Sequence, residues 1–196
     1  MEHQPVGNVS TLRRVRIKLQ LNNYKKMKNI YYLALILSAN TIQSQIAIGK
    51  TILESTSSSM EFGSENRGFV LPWVTNAANV LNAVNGTFIF DVNDKKIKVY
   101  ESNVWKDLTV NTNGAADTTL QDSLTEQTGA KVSIGAVTST PGILVLEDTD
   151  KAMILPKVAN PHLNIVSPTS GMLVYDTTKK MLVVFNGTVW TFWKAS

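Results

Sequence analysis

GTFIFDVNDKKIKVYESNVW (Gly86–Trp105) aligns without a gap on GMLVYDTTKKMLVVFNGTVW (Gly171–Trp190). The two stretches are identical at Gly86/Gly171, Asp91/Asp176, Lys95/Lys180, Val99/Val184, Val104/Val189 and Trp105/Trp190, and conservative at Phe90/Tyr175 and Tyr100/Phe185. An internal repeat defines the unit being built, so it takes precedence over local propensity. The shared residues are apolar positions, glycines and turn formers, so the duplicated object is a scaffold and carries no duplicated chemistry.

Each copy extends upstream of the matching block. Ile46-Ala-Ile-Gly49 recurs as Val132-Ser-Ile-Gly135, and Gly68-Phe-Val-Leu-Pro-Trp-Val74 recurs as Ala152-Met-Ile-Leu-Pro-Lys-Val158, with slightly different spacings that point to small loop insertions. Repeat one is expected over 46–109 and repeat two over 132–196. The segment 110–131, rich in Asn, Thr, Gly, Ala and Asp and devoid of aromatic residues, reads as a linker or loosely packed spacer.

Within a repeat the hydrophobic period is two. Lys96-Ile97-Lys98-Val99 alternates polar with apolar, as a strand with one wet face does. Asp91 to Lys96 separates two such runs and fits a hairpin connection. Asn186-Gly187 lies between Met181–Phe185 and Val189–Trp193, and Asn-Gly takes the paired positive φ values of a type I′ turn. Ala77, Val80, Leu81 and Val84 fall at helical spacing behind a Thr75 or Asn76 cap, and Pro161 can open a short helix in repeat two. The expected fold is mainly β with short helices: two tandem repeats, each of short strands plus a three-strand antiparallel meander, with a short helix or turn over it. Met181-Leu-Val-Val-Phe185 is apolar on both faces, so repeat two is expected to pack on repeat one or on another copy of the chain.

The net charge of +4 invites a nucleic-acid reading that its distribution removes. Arg13, Arg14, Arg16, Lys18, Lys25, Lys26 and Lys28 crowd ahead of the apolar run Ile30–Ala39, and from Gln45 onward acids outnumber bases. A weakly acidic body lacks the basic footprint that phosphate binding needs, so no nucleic-acid partner is expected. Basic residues, a short apolar core and polar Asn40–Gln45 have the form of a secretory signal within residues 1–45, with cleavage near Ser44/Gln45 and with Met27 as an alternative start; a buried helix is the competing reading. The core is shorter than the roughly 20 residues that span a bilayer, and no second long apolar run follows, so no membrane span is expected after processing. The expected location is the periplasm, the outer cell surface or the exterior. Cysteine is absent, which removes disulfides, thiol chemistry and cysteine metal sites.

At Ile46–Gly49, Gly68–Pro72, Gly171–Thr178 and Phe185–Trp190 the sequence resembles a large group of exported proteins of Bacteroidota and is similar to modules of tail-fibre-like and surface-fibre proteins. Trp73 and Lys157 stand where that group usually has Arg, and Glu101-Ser102-Asn103 replaces its glycine turn. The resemblance implies a surface or fibre role, and the apolar run Met181–Phe185 implies a protein partner or self-association. The resemblance also marks Asp117-Thr-Thr119 and Asp122-Ser-Leu124 as similar to O-glycan acceptor sites of that group, with Thr118 and Ser123 as the acceptors.

No enzyme, cofactor or metal constellation emerges. His162 lacks a nucleophile motif, and Glu147-Asp148-Thr-Asp150 lacks the spacing and glycine of a calcium loop. Trp105, Trp190 and Trp193 admit a sugar-stacking platform on a surface glycan or, more simply, core plugs. The copies diverge at Lys96/Met181, Lys98/Val183 and Trp73/Lys157, and Trp193 has no counterpart. The candidate interaction residues are therefore Trp193, Trp73, Met181 and Val183.

Overall fold

A computed structural model describes residues 9–38, 45–125, 127, 129–135 and 138–193. The chain divides into two compact units, Met1–Gln43 and Ser44–Ser196. The first holds α1 (Val9–Ser38), in which strong helix formers run without a Gly or Pro. It takes in both the upstream basic residues and most of the apolar run. Among the described residues no helix is long and apolar enough to cross a membrane. The expected cleavage point at Ser44 and the stretch Asn40–Ser44 lie outside the described residues.

The second unit is mainly β. Repeat one contributes β1 (Ile46–Ile48), β2 (Ser58–Phe62), β3 (Phe69–Val70), β4 (Trp73–Val74), a 3-10 turn at Ala77–Asn79, β5 (Phe88–Asp91), β6 (Lys96–Glu101) and β7 (Val104–Asp107). Repeat two contributes β8 (Val132–Gly135), β9 (Leu144–Glu147), β10 (Ala152–Ile154), β11 (Lys157–Val158), α2 (Pro161–Asn164), β12 (Met172–Asp176), β13 (Met181–Phe185) and β14 (Trp190–Trp193). Every element has a counterpart in the other copy. Strands β5-β6-β7 and β12-β13-β14 are the two antiparallel meanders, each with a short parallel strand, β4 or β11, on its first edge.

Two features go beyond meanders. The Ile-Gly segments form parallel pairs, β1 with β2 and β8 with β9. The repeats also exchange strands: β10 of repeat two adds to β2 in parallel, while β3 of repeat one adds antiparallel to β12. Exchange places each copy's backbone groups in the other's sheet, so neither copy is complete alone.

Both faces of the repeat-two meander are buried. One face, with Met172, Val174, Val183 and Phe185, packs with Val158 and Ile165 beside α2. The other, with Leu173 and Val184, meets Leu71, Phe90 and Ile97 of repeat one. The apolar run Met181–Phe185 thus packs on repeat one through this second face. Each fully buried aliphatic or aromatic side chain there contributes about 1.5–3 kcal/mol relative to exposure.

Three local expectations change. The helical spacing of Ala77 to Val84 yields only the 3-10 turn, capped by Asn76 Oδ1 accepting from the Ala78 amide at 2.8 Å; Val80 leaves helical space and Asn82 turns left-handed, so Leu81 is exposed. The wet face of β6 is covered: Lys98 is buried, its ammonium bonded to Asp94 and 3.3 Å from Asp107. Alternation reads Lys98 as solvent-facing because it cannot see the carboxylates that neutralise it. The type I′ geometry falls on the other copy: Ser102 and Asn103 both have positive φ (52° and 63°), while in the Asn186-Gly187 hairpin only Gly187 does, at 99°.

Tertiary contact explains that exchange. Asn186 is buried; its backbone carbonyl accepts from the Ala115 amide at 3.0 Å, and its side-chain amide donates to the Asn111 carbonyl at 3.2 Å. Thr188 Oγ1 donates to the Asn113 carbonyl at 2.6 Å. The start of the segment expected to be a loose spacer is therefore strapped across the repeat-two hairpin.

Candidate functional site

Four sequence-selected side chains gather on or beside the repeat-two meander, but they divide by depth. Val183 is fully buried among Val158, Val174 and Phe185, so it fills core and offers no surface. This corrects its selection: the loss of charge relative to Lys98 reflects an apolar cover, β11 and α2, and leaves nothing free for a partner. Met181 is half-buried against the same cluster.

Trp73 is half-buried between the repeats. Its indole packs on Phe90 with ring centroids 5.8 Å apart and donates from Nε1 to the Ser170 carbonyl at 2.8 Å. Its counterpart Lys157 is exposed and reaches Glu54 at 3.1 Å. The divergence at this position thus exchanges a half-buried inter-repeat strut for an exposed ion pair that also joins the repeats, since Glu54 lies in repeat one. Trp193 is 38% exposed, with its Nε1 donating to the Leu108 carbonyl at the end of repeat one. Trp105 and Trp190 occupy equivalent places, each against its cross-strand aromatic partner, Tyr100 at 5.1 Å and Phe185 at 4.9 Å. The three indoles therefore have separate neighbours.

In the strap region Ser123 is exposed, while Thr118 is half-buried and its hydroxyl is 3.3 Å from Asp122 Oδ2. His162 lies on α2, edge-on to Phe192 at 5.6 Å. Asp148 pairs with Lys151 at 3.5 Å.

The charged groups serve turns. Asp91 and Asp176, identical in the alignment, are both buried at the start of the first meander turn. Asp91 accepts from the Ala77 amide at 2.8 Å and the Asp94 amide at 3.0 Å. Asp176 Oδ1 accepts from the amides of Thr178, Lys179 and Asn160 at 2.8, 3.1 and 3.3 Å. Burial would raise its carboxyl, but these three N–H groups outweigh it and hold the group below the usual aspartate value. Asp176 Oδ2 has no partner, because the position matching Ala77 is Pro161, which has no N–H.

Glu61, on β2, was not singled out by the sequence. It gathers the amides of Glu54 and Ser55, both at 2.8 Å, the Lys50 ammonium at 2.7 Å and the Ser58 hydroxyl at 2.6 Å. The Glu54 amide, then Lys50 and Ser58, bring its carboxyl down to about 2. Lys98 is raised: burial acts to lower it, and the carboxylates of Asp94 and Asp107 prevail. These networks are closed on themselves and organise loops; none aims an unshared nucleophile or acid into a cavity.

Backbone groups at one strand edge are open. The Val132 amide donates to the Ile143 carbonyl at 2.8 Å, so by the alternation of a parallel ladder the N–H and C=O groups of Leu144 and Leu146 point away from β8. Among the described residues no strand pairs with that edge of β9.

Residues 133–195, from within β8 to beyond β14, match the family model described as the phage tail like trimerisation region. No curated protein and no solved structure matches the chain. The matched stretch is less than half of the chain and takes in nearly all of repeat two. It supports a tail-fibre-like structural module and self-association for the repeat whose meander is apolar on both faces.

Proposed function

We propose that this protein is an exported, non-catalytic module whose second repeat joins copies of the chain into a trimer within a fibre-like assembly at the cell surface. The observation that carries the reading is the match of residues 133–195 to a trimerisation region, supported by buried carboxylates, Asp91, Asp176 and Glu61, that are each occupied by loop and turn amides. In this reading the basic and apolar leader of 1–45 directs export, and Met181 and Trp193 belong to the surface that partners approach. Ser123, exposed in the strap region, and Thr118 are the candidate O-glycan acceptors.

Light scattering coupled to size exclusion tests the proposal on the full chain. A mass three times that of one chain is expected; a monomer at every accessible concentration would overturn it. A second reading, glycan binding, has the exposure of Trp193 in its favour. It is retained only if a glycan array gives binding that Trp193→Ala abolishes while the thermal unfolding curve is unchanged.

A further inference from the structure

The two repeats are held together by a strand exchange with a direction, and the exchange leaves complementary places open at the two ends. Inside the chain, β2 of repeat one receives β10, and β12 of repeat two receives β3. The counterpart of β2 is β9, and among the described residues its outer edge receives nothing. The counterpart of β12 is β5, paired with β4 only at Phe90 and Asp91, so its edge at Phe88 is likewise open. Exposure registers both vacancies. Leu173 is covered by the exchange and 4% exposed, while its counterpart Phe88 is 37% exposed, and Val70 on the outer edge of β3 is 38% exposed.

The backbone polarity of these edges also matches. The Leu71 amide donates to the Gly171 carbonyl at 3.0 Å, so Phe69 and Leu71 face β12 and the amide and carbonyl of Val70 point outward. Val70 aligns with Ile154, whose partner on β2 is Glu61, and Glu61 corresponds to Val145 on β9. In a parallel pair with Val70 opposite Val145, the Val70 amide would donate to the Leu144 carbonyl and the Val70 carbonyl would accept from the Leu146 amide. By the same correspondence, Met153 of β10 would lie opposite Phe88, as Phe69 lies opposite Leu173.

We propose that copies of this chain join head to tail by repeating the exchange that joins the repeats: β9 and β10 of one copy take β3 and β5 of the next. The occupant is a second copy because both open edges find their partners on the same chain in the register already seen inside it. The inference rests on the self-association proposed above and specifies its surface. A contact between unlike surfaces closes into a ring when the rotation per copy allows, and a trimer is such a closure.

The test uses the full chain and two edge variants. Leu146→Pro removes an outward amide from β9 without touching its ladder to β8, and Phe88→Asp places a charge where Met153 should pack. Each is expected to weaken self-association roughly tenfold or more by sedimentation, with cooperative thermal unfolding retained. Because the chain has no cysteine, co-expressed Val70→Cys and Val145→Cys chains carrying tags of different mass report the register directly. A short bis-maleimide should join unlike chains and not like ones, and this arm decides even if an edge variant fails to fold. Wild-type assembly with no Val70–Val145 product and unaltered edge variants would overturn the head-to-tail contact while leaving self-association standing. A wild-type monomer would overturn both.

Discussion

The indole Nε1 of Trp73 donates to the backbone carbonyl of Ser170 at 2.8 Å, a bond between the first strand edge of one repeat and the loop that opens the meander of the other. With Phe90 beneath the ring, it ties the two copies where β3 crosses into the repeat-two sheet. Trp73→Phe should keep the packing and lose the bond, costing about 1 kcal/mol. Trp73→Ala should cost about 3 kcal/mol. Urea unfolding followed by circular dichroism measures both, and a Trp73→Phe variant as stable as the wild type would deny the bond a role.

Pro161 leaves Asp176 Oδ2 without a donor, whereas the Ala77 amide serves Asp91 Oδ2 at 2.8 Å. Pro161→Ala restores that N–H. Its gain, about 1.5–3 kcal/mol for a bond to a charged group, should exceed the roughly 0.4–1 kcal/mol lost through a freer unfolded chain. The substitution is therefore expected to stabilise in the Asp176 background and to destabilise in Asp176→Ala. A double-mutant cycle in urea reads the difference, and a coupling of zero would show that the amide does not reach the carboxylate.

Glu61 links stability to pH. Its folded value of about 2 lies below the ordinary 4.5, so its contribution is fully present above pH 4.5 and is lost as pH falls toward 2. Asp176, also depressed, acts in the same direction. The melting temperature should fall over this window, and Glu61→Gln should flatten the fall while lowering the plateau at neutral pH. An acid limb identical in the variant would assign the pH dependence elsewhere.

Two glycines with positive φ separate conformational strain from crowding. At Gly86, φ is +91° and an added Cβ meets nothing within 4 Å, so Gly86→Ala should cost about 1 kcal/mol. At Gly187, φ is +99° and the Cβ would fall 1.9 Å from the Ala115 carbonyl oxygen and 2.5 Å from Ser170 Oγ. Gly187→Ala should therefore cost roughly 3 kcal/mol or more, because the strap must lift from the hairpin. Similar melting temperatures for the two variants would show that the strap is loosely held.

The sequence by itself determined the repeat, the two meanders and their hairpins, because period-two alternation and turn chemistry are local properties carried by neighbouring residues. Gly86–Trp105 and Gly171–Trp190 each carry two full strands and the start of a third. It also indicated that Met181–Phe185 must be covered on both faces, since five apolar residues in succession cannot leave one face in water. What covers them was decided only in three dimensions: repeat one on one side, Val158 and Ile165 on the other. The same holds for Lys98, made a core residue by Asp94 and Asp107; for Asn186, whose turn is shaped by a strap from Asn111 to Ala115; and for the exchange of β3 and β10. The strap and the strand exchange depend on groups far apart in the chain. The Lys98 site depends on carboxylates four and nine residues away that close on it only across the folded meander. Burial and backbone pairing set these meetings, and a linear pattern does not encode them.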